Sequence, residues 1–143
     1  MKSSLAAHQG GCLCGAVRYE VRGPMRGVVN CHCDMCRRLH GAFGAYTKVE
    51  NTALSLVLES GLTWFASSGQ ARRGFCRTCG ASLFWQPSGA QTTSISAGTL
   101  DPPSGLVTIG HIFMAEKGDF YAIANDLKQF PGSAGGKMDT TVA

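Results

Sequence analysis

The sequence predicts a small, mainly antiparallel β domain with one short helix. Three observations support this fold class: 19 glycines, short stretches in which apolar and polar residues alternate, and turn residues between those stretches. The clearest alternation puts Val17, Tyr19 and Val21 on one face of a strand. A length of 143 residues with 15% charged residues fits one folded domain better than two domains or a disordered chain.

Other stretches show the same alternation or lie between turn signals, and they are predicted as further strands: 43–50, 54–58, 63–66, 81–86, 92–97 and 111–114. The clear helix is predicted over 35–40, with Asp34 as its N-terminal cap and Gly41 at its end. A second helical turn is expected near 125–129. The aromatic side chains of 64–65 and 84–85 are expected in the core.

Residues 10–131 are predicted to form the domain, flanked by flexible segments at 1–9 and 132–143, because the C-terminal stretch lacks apolar periodicity. No stretch approaches the roughly 20 apolar residues that span a bilayer, and the apolar run at the N-terminus is too short for a signal peptide. We therefore expect a soluble, cytoplasmic protein without a membrane partner.

The charge balance gives little reason to expect a nucleic-acid partner. The formal net charge is +4, and it would fall to +1 if all seven cysteines were thiolates on two zinc ions. The sequence also lacks a stripe of Lys and Arg interleaved with aromatic residues. A small anionic ligand is compatible with this composition.

The seven cysteines are the main functional signal. An odd number cannot all pair within the chain, and clustered reduced cysteines are typical of metal ligands. They fall into three groups: Cys12 and Cys14; Cys31, Cys33 and Cys36; Cys76 and Cys79.

The first and third groups are suited to a tetrahedral zinc site. Residues i and i+2 of an extended strand share a face, so Cys12 and Cys14 can offer adjacent sulfurs. A tight turn, relaxed by Gly80, brings Cys76 and Cys79 together. These four thiolates form the predicted structural site, although spacing alone leaves open the pairing of Cys31 and Cys33 with the third group.

The remaining trio, Cys31, Cys33 and Cys36, predicts a site of another kind. Catalytic zinc usually keeps three protein ligands and one open position. Cys36 falls in the first helical turn, where we expect a lowered thiol pKa. Two alternatives remain, a metal-free redox trio and a second structural site with a fourth ligand. The candidates for that ligand are His32, Asp34, His40 and His111, although His32 is expected to face away from its cysteine neighbours.

These residues carry a resemblance to a known family. Stretches 10–18, 31–37 and 75–84, with 97–101 and 111–113, resemble the glutathione-dependent formaldehyde-activating enzymes, a family that includes centromere protein V. The resemblance covers roughly residues 10–132. It implies the MSS-four-like fold, a small zinc-bound arrangement of antiparallel sheets. It also implies a structural zinc on the four-cysteine group and a labile, catalytic zinc on the trio.

The same resemblance implies a carbon–sulfur lyase that condenses glutathione with formaldehyde. Zinc on the trio could bind the thiolate or polarise the aldehyde, and three thiolate ligands favour orienting the thiolate. Cys31, Cys33 and Cys36 are then the catalytic residues. Arg37, Arg72, Arg73 and His111 are candidate substrate contacts. The alternative function is a non-catalytic, zinc-stabilised binding module for a protein partner, as in a Rab-exchange relative of the fold.

Overall fold

The computed structural model describes residues 7–139 and the backbone of 141–142. Its α-helix, α1, covers Asp34–His40, and short 3-10 helices cover Asn51–Ala53, Ala97–Thr99 and Met114–Glu116. The strands are β1 (Ala7–Gly11), β2 (Arg18–Arg22), β3 (Met25–Arg26), β4 (Val28–Cys31), β5 (Gly44–Glu50), β6 (Leu54–Leu58), β7 (Leu62–Phe65), β8 (Ala71–Cys76), β9 (Ser82–Pro87), β10 (Thr92–Ser96), β11 (Thr108–Ile112), β12 (Lys128–Gln129) and β13 (Thr141–Val142).

Within the part of the chain that the structure describes, the strands form three sheets. The largest has eight strands in the order β12-β11-β4-β5-β10-β9-β8-β7, and a three-stranded sheet has the order β1-β2-β6. The third pairs β13 with β3. Neighbouring strands are antiparallel except where β11 runs parallel to β4 and β12. This architecture confirms the predicted mainly β class with one short α-helix.

The core lies between the three-stranded sheet and one face of the large sheet. The alternation predicted for β2 is confirmed, because Val17, Tyr19 and Val21 are all buried. The rings of Tyr19 and Phe84 meet edge to face with their centroids 5.4 Å apart, which joins the two sheets. Burial of these apolar side chains supplies the main driving force for folding.

The central strand β5 is covered on both faces. Tyr46 and Thr47 are neighbours in sequence and point to opposite faces, yet both are buried. The strand predicted over 43–50 is confirmed as β5, and Thr47 and Val49 are buried as predicted. The predicted alternation is wrong at Tyr46, which was placed on the polar face. At the sheet edge, Phe65 of β7 is 54% exposed, which corrects the expectation that it lies in the core.

The helix begins one residue earlier than predicted. Its N-terminal cap is Cys33, whose Sγ accepts a hydrogen bond from the Cys36 N–H at 3.4 Å; Asp34 is already helical. The predicted end is confirmed, since Gly41 adopts φ +94 and donates its N–H to the Arg37 carbonyl at 2.9 Å.

The C-terminal third contains more extended chain than predicted. The helical turn expected near 125–129 is absent from the described residues; Lys128–Gln129 instead forms β12 on the edge of the large sheet. Part of the predicted flexible N-terminal segment, 7–9, belongs to β1, and 1–6 lie outside the described residues. Among the described residues, no helix is long and apolar enough to cross a membrane.

Residues 133–139, here called the C-terminal arm, lie along the large sheet. Met138 is buried, and its sulfur occupies the space that a Cβ at Gly110 would fill. Beyond the arm, β13 pairs with β3, which aligns Thr141 with Arg26. The flexibility predicted for 132–143 stays a prediction, while the arm itself forms a wall of the cavity described below.

Candidate active site

Four cysteines from distant parts of the chain meet at one end of the core. Cys12 and Cys14 lie in the bend after β1 rather than on a strand, and Cys76 and Cys79 flank the turn before β9. The four sulfurs lie within 4.8 Å of one another. The distance from the Cys14 Sγ is 3.7 Å to both the Cys12 Sγ and the Cys76 Sγ. The edge of a tetrahedron with Zn–S bonds of about 2.3 Å is about 3.8 Å, so this donor set fits zinc.

Backbone N–H groups favour the ionised form of two of these thiols. Hydrogen bonds from the Ala81 and Cys14 backbones lower the pKa of Cys79 to about 6. For Cys12, burial acts in the opposite direction, but the Val17 N–H at 3.2 Å and the neighbouring sulfurs lower its pKa. The positive φ predicted after the second cysteine of this turn is confirmed at Gly80, with φ +78.

The second cluster combines a strand end with a helix start. Cys31 ends β4, Cys33 caps α1 and Cys36 lies in the first turn of α1. Their sulfurs also lie within 4.8 Å of one another. The trio thus forms a cluster of its own, separate from the four-cysteine cluster. The alternative, in which Cys31 and Cys33 join Cys76 and Cys79, is not the arrangement in the structure.

The thiolate of the trio is best stabilised at the helix cap. Hydrogen bonds from the Cys31 and Cys36 thiols, with the N–H groups of Cys36 and Met35, hold the pKa of Cys33 far below its usual range. The expected lowering at Cys36 is wrong. A hydrogen bond with Cys31 lowers the Cys36 pKa, but the bond with Cys33, burial and the negative charge of Cys33 together raise it.

None of the four residues considered as a fourth ligand joins the trio within the described chain. His32 faces away, as predicted: its Nδ1 lies 2.6 Å from the Tyr121 hydroxyl and its Nε2 lies 3.0 Å from Nδ1 of His111. The other two have different partners, since His40 bonds the Tyr46 hydroxyl at 2.6 Å and Asp34 pairs with arginines of its own helix.

The trio opens onto a cavity of about 630 Å³, whose floor is the face of the large sheet opposite the core. Strand register explains this floor, because residues paired across antiparallel strands point to the same face. The pairs that carry it are Cys31 with Gly44, Tyr46 with Val29, Lys48 with Ser94, Ser94 with Trp85, and Trp85 with Arg73. Trp85, expected in the core, therefore lines the cavity instead.

One predicted basic contact lies at this cavity. Arg73 donates from Nη1 to the Tyr46 hydroxyl at 3.1 Å, and its Nη2 lies 3.9 Å from the Cys36 Sγ. No ion pair among the described residues involves Arg73, and its buried Nε has no hydrogen-bond partner there. Arg73 is therefore a cation with unused donor capacity beside the trio.

The other three predicted contacts are not brought to the cavity. Arg72 is adjacent to Arg73 on β8, so it points to the opposite face, where its guanidinium lies 3.8 Å from the Trp64 ring centroid. Arg37 pairs with Asp34 at the helix surface. His111 is buried on the far face, where its Nε2 lies 3.2 Å from the Asn125 Oδ1.

Two further basic residues line the cavity, Arg26 of β3 and Lys48 of β5. Lys48 is one of the basic residues near the cysteine groups in the sequence, and the alternation along β5 places it on the same face as Tyr46, whereas Arg26 was missed. Arg26 gave no signal, since the short strand β3 lies outside every predicted element.

The fold and the two thiol clusters define a small cysteine-rich β protein with two candidate metal sites, one of which opens onto a cavity. The chain belongs to the glutathione-dependent formaldehyde-activating enzyme family, whose model matches residues 7–116. This match confirms the resemblance found in the sequence.

Individual relatives agree with this assignment at low identity. A protein of Schizosaccharomyces pombe named as an uncharacterized lyase is 26% identical over 125 residues, covering 86% of this chain and 90% of the relative. A Halomonas elongata protein, provisionally named a glutathione-dependent formaldehyde-activating enzyme, is 27% identical over 131 residues, covering 80% of each chain. The crystal structure of a Rhodobacter sphaeroides protein is similar with a TM-score of 0.58 and 29% identity, covering 72% of this chain and 98% of the other.

Proposed function

We propose that this protein is a carbon–sulfur lyase that joins the thiol of glutathione to formaldehyde or a related small aldehyde at Cys31, Cys33 and Cys36. The observation that carries the proposal is the position of the trio: three sulfurs without a fourth ligand among the described residues, facing a cavity that contains the unpaired cation Arg73. Family membership supports the same activity.

The two clusters have different proposed roles. The four-cysteine cluster holds a structural zinc, and the trio holds a second, more labile zinc. When bound at the trio, zinc supplies an open coordination position that favours a thiolate ligand or polarises an aldehyde oxygen. Cys33 is the residue of the trio best prepared for metal, because its thiolate is already stabilised by the neighbouring thiols and backbone N–H groups.

The side chains of the cavity bind and orient the substrates. Arg73 is positioned to bind a glutathione carboxylate, and guanidinium–carboxylate pairs have well-defined geometry. This anchors the thiol beside the trio and gives the addition a proximity advantage. The reaction forms one C–S bond between the glutathione sulfur and the aldehyde carbon. The thiol proton ends on the new hydroxyl group, so no oxidant or reductant is required.

The test is the exchange rate between formaldehyde and S-(hydroxymethyl)glutathione, measured by NMR exchange spectroscopy because the uncatalysed reaction is itself observable. Zinc is first counted by elemental mass spectrometry in protein purified under reducing conditions without chelator. With about two zinc ions per chain, we expect wild-type protein to accelerate exchange and Cys33→Ser to give only the uncatalysed rate.

The competing function is a non-catalytic, zinc-stabilised binding module for a protein partner. Fully loaded wild-type protein that leaves the exchange rate at its uncatalysed value contradicts the lyase and favours this module. We place the activity in the cytoplasm, where the thiols of both clusters stay reduced.

A further inference from the structure

The C-terminal arm brings a carboxylate to the cavity from outside the family-matched region. The match covers residues 7–116, whereas Asp139 lies on the arm and lines the same cavity as the trio. The Asp139 Oδ1 accepts a hydrogen bond from the Lys48 Nζ at 2.8 Å and lies 3.9 Å from the Arg26 Nη1. The buried Met138 next to it anchors the arm at this position.

Asp139 and Lys48 have unused hydrogen-bonding capacity. Among residues 7–139, the Asp139 Oδ2 makes no hydrogen bond, and Lys48 uses one of the three donors of its ammonium group. The Asp139 side chain is 48% exposed and that of Lys48 is 28% exposed, so a ligand can reach both. Arg26 is more rigidly held, since its Nη2 donates to the Tyr46 carbonyl at 3.0 Å.

A carboxylate beside two cations is complementary to a zwitterion. An α-amino acid head group carries an ammonium and a carboxylate on one carbon. The ammonium can donate to the free Asp139 oxygen while the carboxylate accepts from Lys48 and lies near Arg26. Such charge-assisted hydrogen bonds are stronger than neutral ones and define orientation.

The spacing along the sheet also matches a tripeptide thiol. Cys31 is paired with Gly44, and Lys48 lies four residues further along β5 on the same face. Four residues of a strand span about 13 Å. In glutathione the sulfur belongs to the central cysteine, and the extended γ-glutamyl arm places the glutamyl α-carbon about 9 Å from it. The coordination distance at the sulfur and the hydrogen-bond distance at the head group account for the remainder.

We propose that Asp139 is a specificity-determining residue, which with Lys48 and Arg26 forms a subsite for the α-amino acid head group of the thiol substrate. This inference rests on the proposed function, because it requires the thiol to be bound at the trio. The substrate class is then thiols that carry a free α-amino acid group about 9 Å from the sulfur, the length of an extended γ-glutamyl arm.

The test compares glutathione with its deamino analogue, in which hydrogen replaces the α-ammonium group while the thiol and both carboxylates remain. Isothermal titration calorimetry of zinc-loaded, full-length protein under reducing conditions gives the two dissociation constants. We expect wild-type protein to bind glutathione about tenfold more tightly than the analogue, the scale of a hydrogen bond between charged groups. Asp139→Asn binds the two ligands equally, and Asp139→Glu retains the preference.

Two further variants separate the roles. Lys48→Gln weakens the binding of both ligands, because both retain the carboxylate, and it keeps the preference for glutathione over the analogue. Asp126→Asn, at an exposed position outside the cavity, behaves as wild type. Thermal unfolding of each variant establishes that it is folded.

The contrary outcomes are distinct. A preference that survives in Asp139→Asn overturns the inference, and so does tighter glutathione binding by that variant, which would mean that Asp139 competes with the ligand carboxylate. Wild-type protein that binds both ligands equally overturns this inference alone. Wild-type protein that binds neither ligand overturns the proposed function as well.

Discussion

The Arg73 Nη2 lies 3.9 Å from the Cys36 Sγ, so a cation from β8 contacts a thiol of α1 across the cavity. The two residues are 37 positions apart in sequence, and strand register brings Arg73 to the face that the trio occupies. The guanidinium compensates negative charge on the trio and still has donors available for a ligand.

Adjacent arginines on β8 provide a matched pair for testing this contact. We expect Arg73→Met to raise the KM for glutathione about tenfold, because it removes a charged hydrogen-bond donor from the cavity. Arg72→Met removes the same charge from the opposite face and should change KM by less than about twofold. Steady-state exchange kinetics check both. Equal effects of the two substitutions would indicate a general loss of positive charge rather than a specific contact.

The two clusters should respond differently to the loss of one thiol. Cys36→Ser is expected to bind one zinc per chain instead of two and to keep its fold, because the trio lies at the edge of a cavity. Cys76→Ser removes a buried ligand of the four-cysteine cluster and should lose the cooperative thermal transition, since binding of structural zinc is coupled to folding. Zinc content and circular dichroism melting measure these effects. Unfolding of Cys36→Ser would show that the trio is structural.

A chain of hydrogen bonds holds His32, which lies between Cys31 and Cys33 and faces away from the trio. The Asn125 Oδ1 can only accept, and it accepts from both the Leu127 N–H and the His111 Nε2. With Nε2 as its donor, His111 accepts at Nδ1 from the His32 Nε2. The remaining ring nitrogen of His32, its Nδ1, then accepts from the Tyr121 hydroxyl. Burial lowers the pKa of His32 to about 4, which keeps this ring neutral.

Removing the last donor of this chain should weaken the second metal site. Tyr121→Phe leaves the buried His32 nitrogen without a partner, and we expect a cost of about 1–3 kcal/mol in the free energy of unfolding. Because His32 lies between Cys31 and Cys33, the zinc affinity of the trio should fall while that of the four-cysteine cluster stays unchanged. Competition with a chromophoric chelator measures both affinities. Phe120→Leu, at a 63% exposed neighbouring position, is the control.

The core tyrosine makes stability fall at alkaline pH. Burial raises the pKa of Tyr19 to about 12, above the ordinary value of 10.0. The unfolded chain therefore releases this proton first, and stability is full below pH 10 and lost as pH rises towards 12. The loss approaches about 3 kcal/mol for a shift of this size. Urea unfolding from pH 8 to 12 measures it, and Tyr19→Phe should show a flatter profile. An unchanged slope in this variant would assign the loss to other groups.

Cysteine spacing and short-range alternation explain the parts of the site that could be predicted. Pairs at positions i and i+2 or i and i+3 bring their sulfurs together through local geometry, which is why two clusters could be proposed without a fold. Local geometry does not decide which residue caps α1. Asp is a commoner N-cap residue than Cys, so Asp34 was the predicted cap. The helix starts one residue earlier than predicted, and the Cys33 sulfur is therefore the cap.

Contacts that depend on sheet order could not be predicted from the sequence. Arg72 and Arg73 look alike as basic residues near a cysteine group, and only the pairing of β8 with β9 shows which one faces the cavity. The C-terminal arm has no periodic apolar pattern. Its position depends on contacts far apart in sequence: the Met138 sulfur over Gly110, and the hydrogen bond between Lys48 and Asp139.

If the four-cysteine cluster holds the proposed zinc, the lifetime of the protein depends on metal supply. Cys14 and Cys76 are 62 positions apart in sequence, yet their sulfurs are 3.7 Å apart. A cross-link across a loop of this length is worth about 4 kcal/mol through the entropy of the unfolded chain. The zinc proposed for this cluster would provide such a cross-link in reversible form, so we expect the free energy of unfolding to rise with the free zinc concentration. In a zinc-starved cell, more of the chain would then be unfolded at any moment, and proteases would remove it faster.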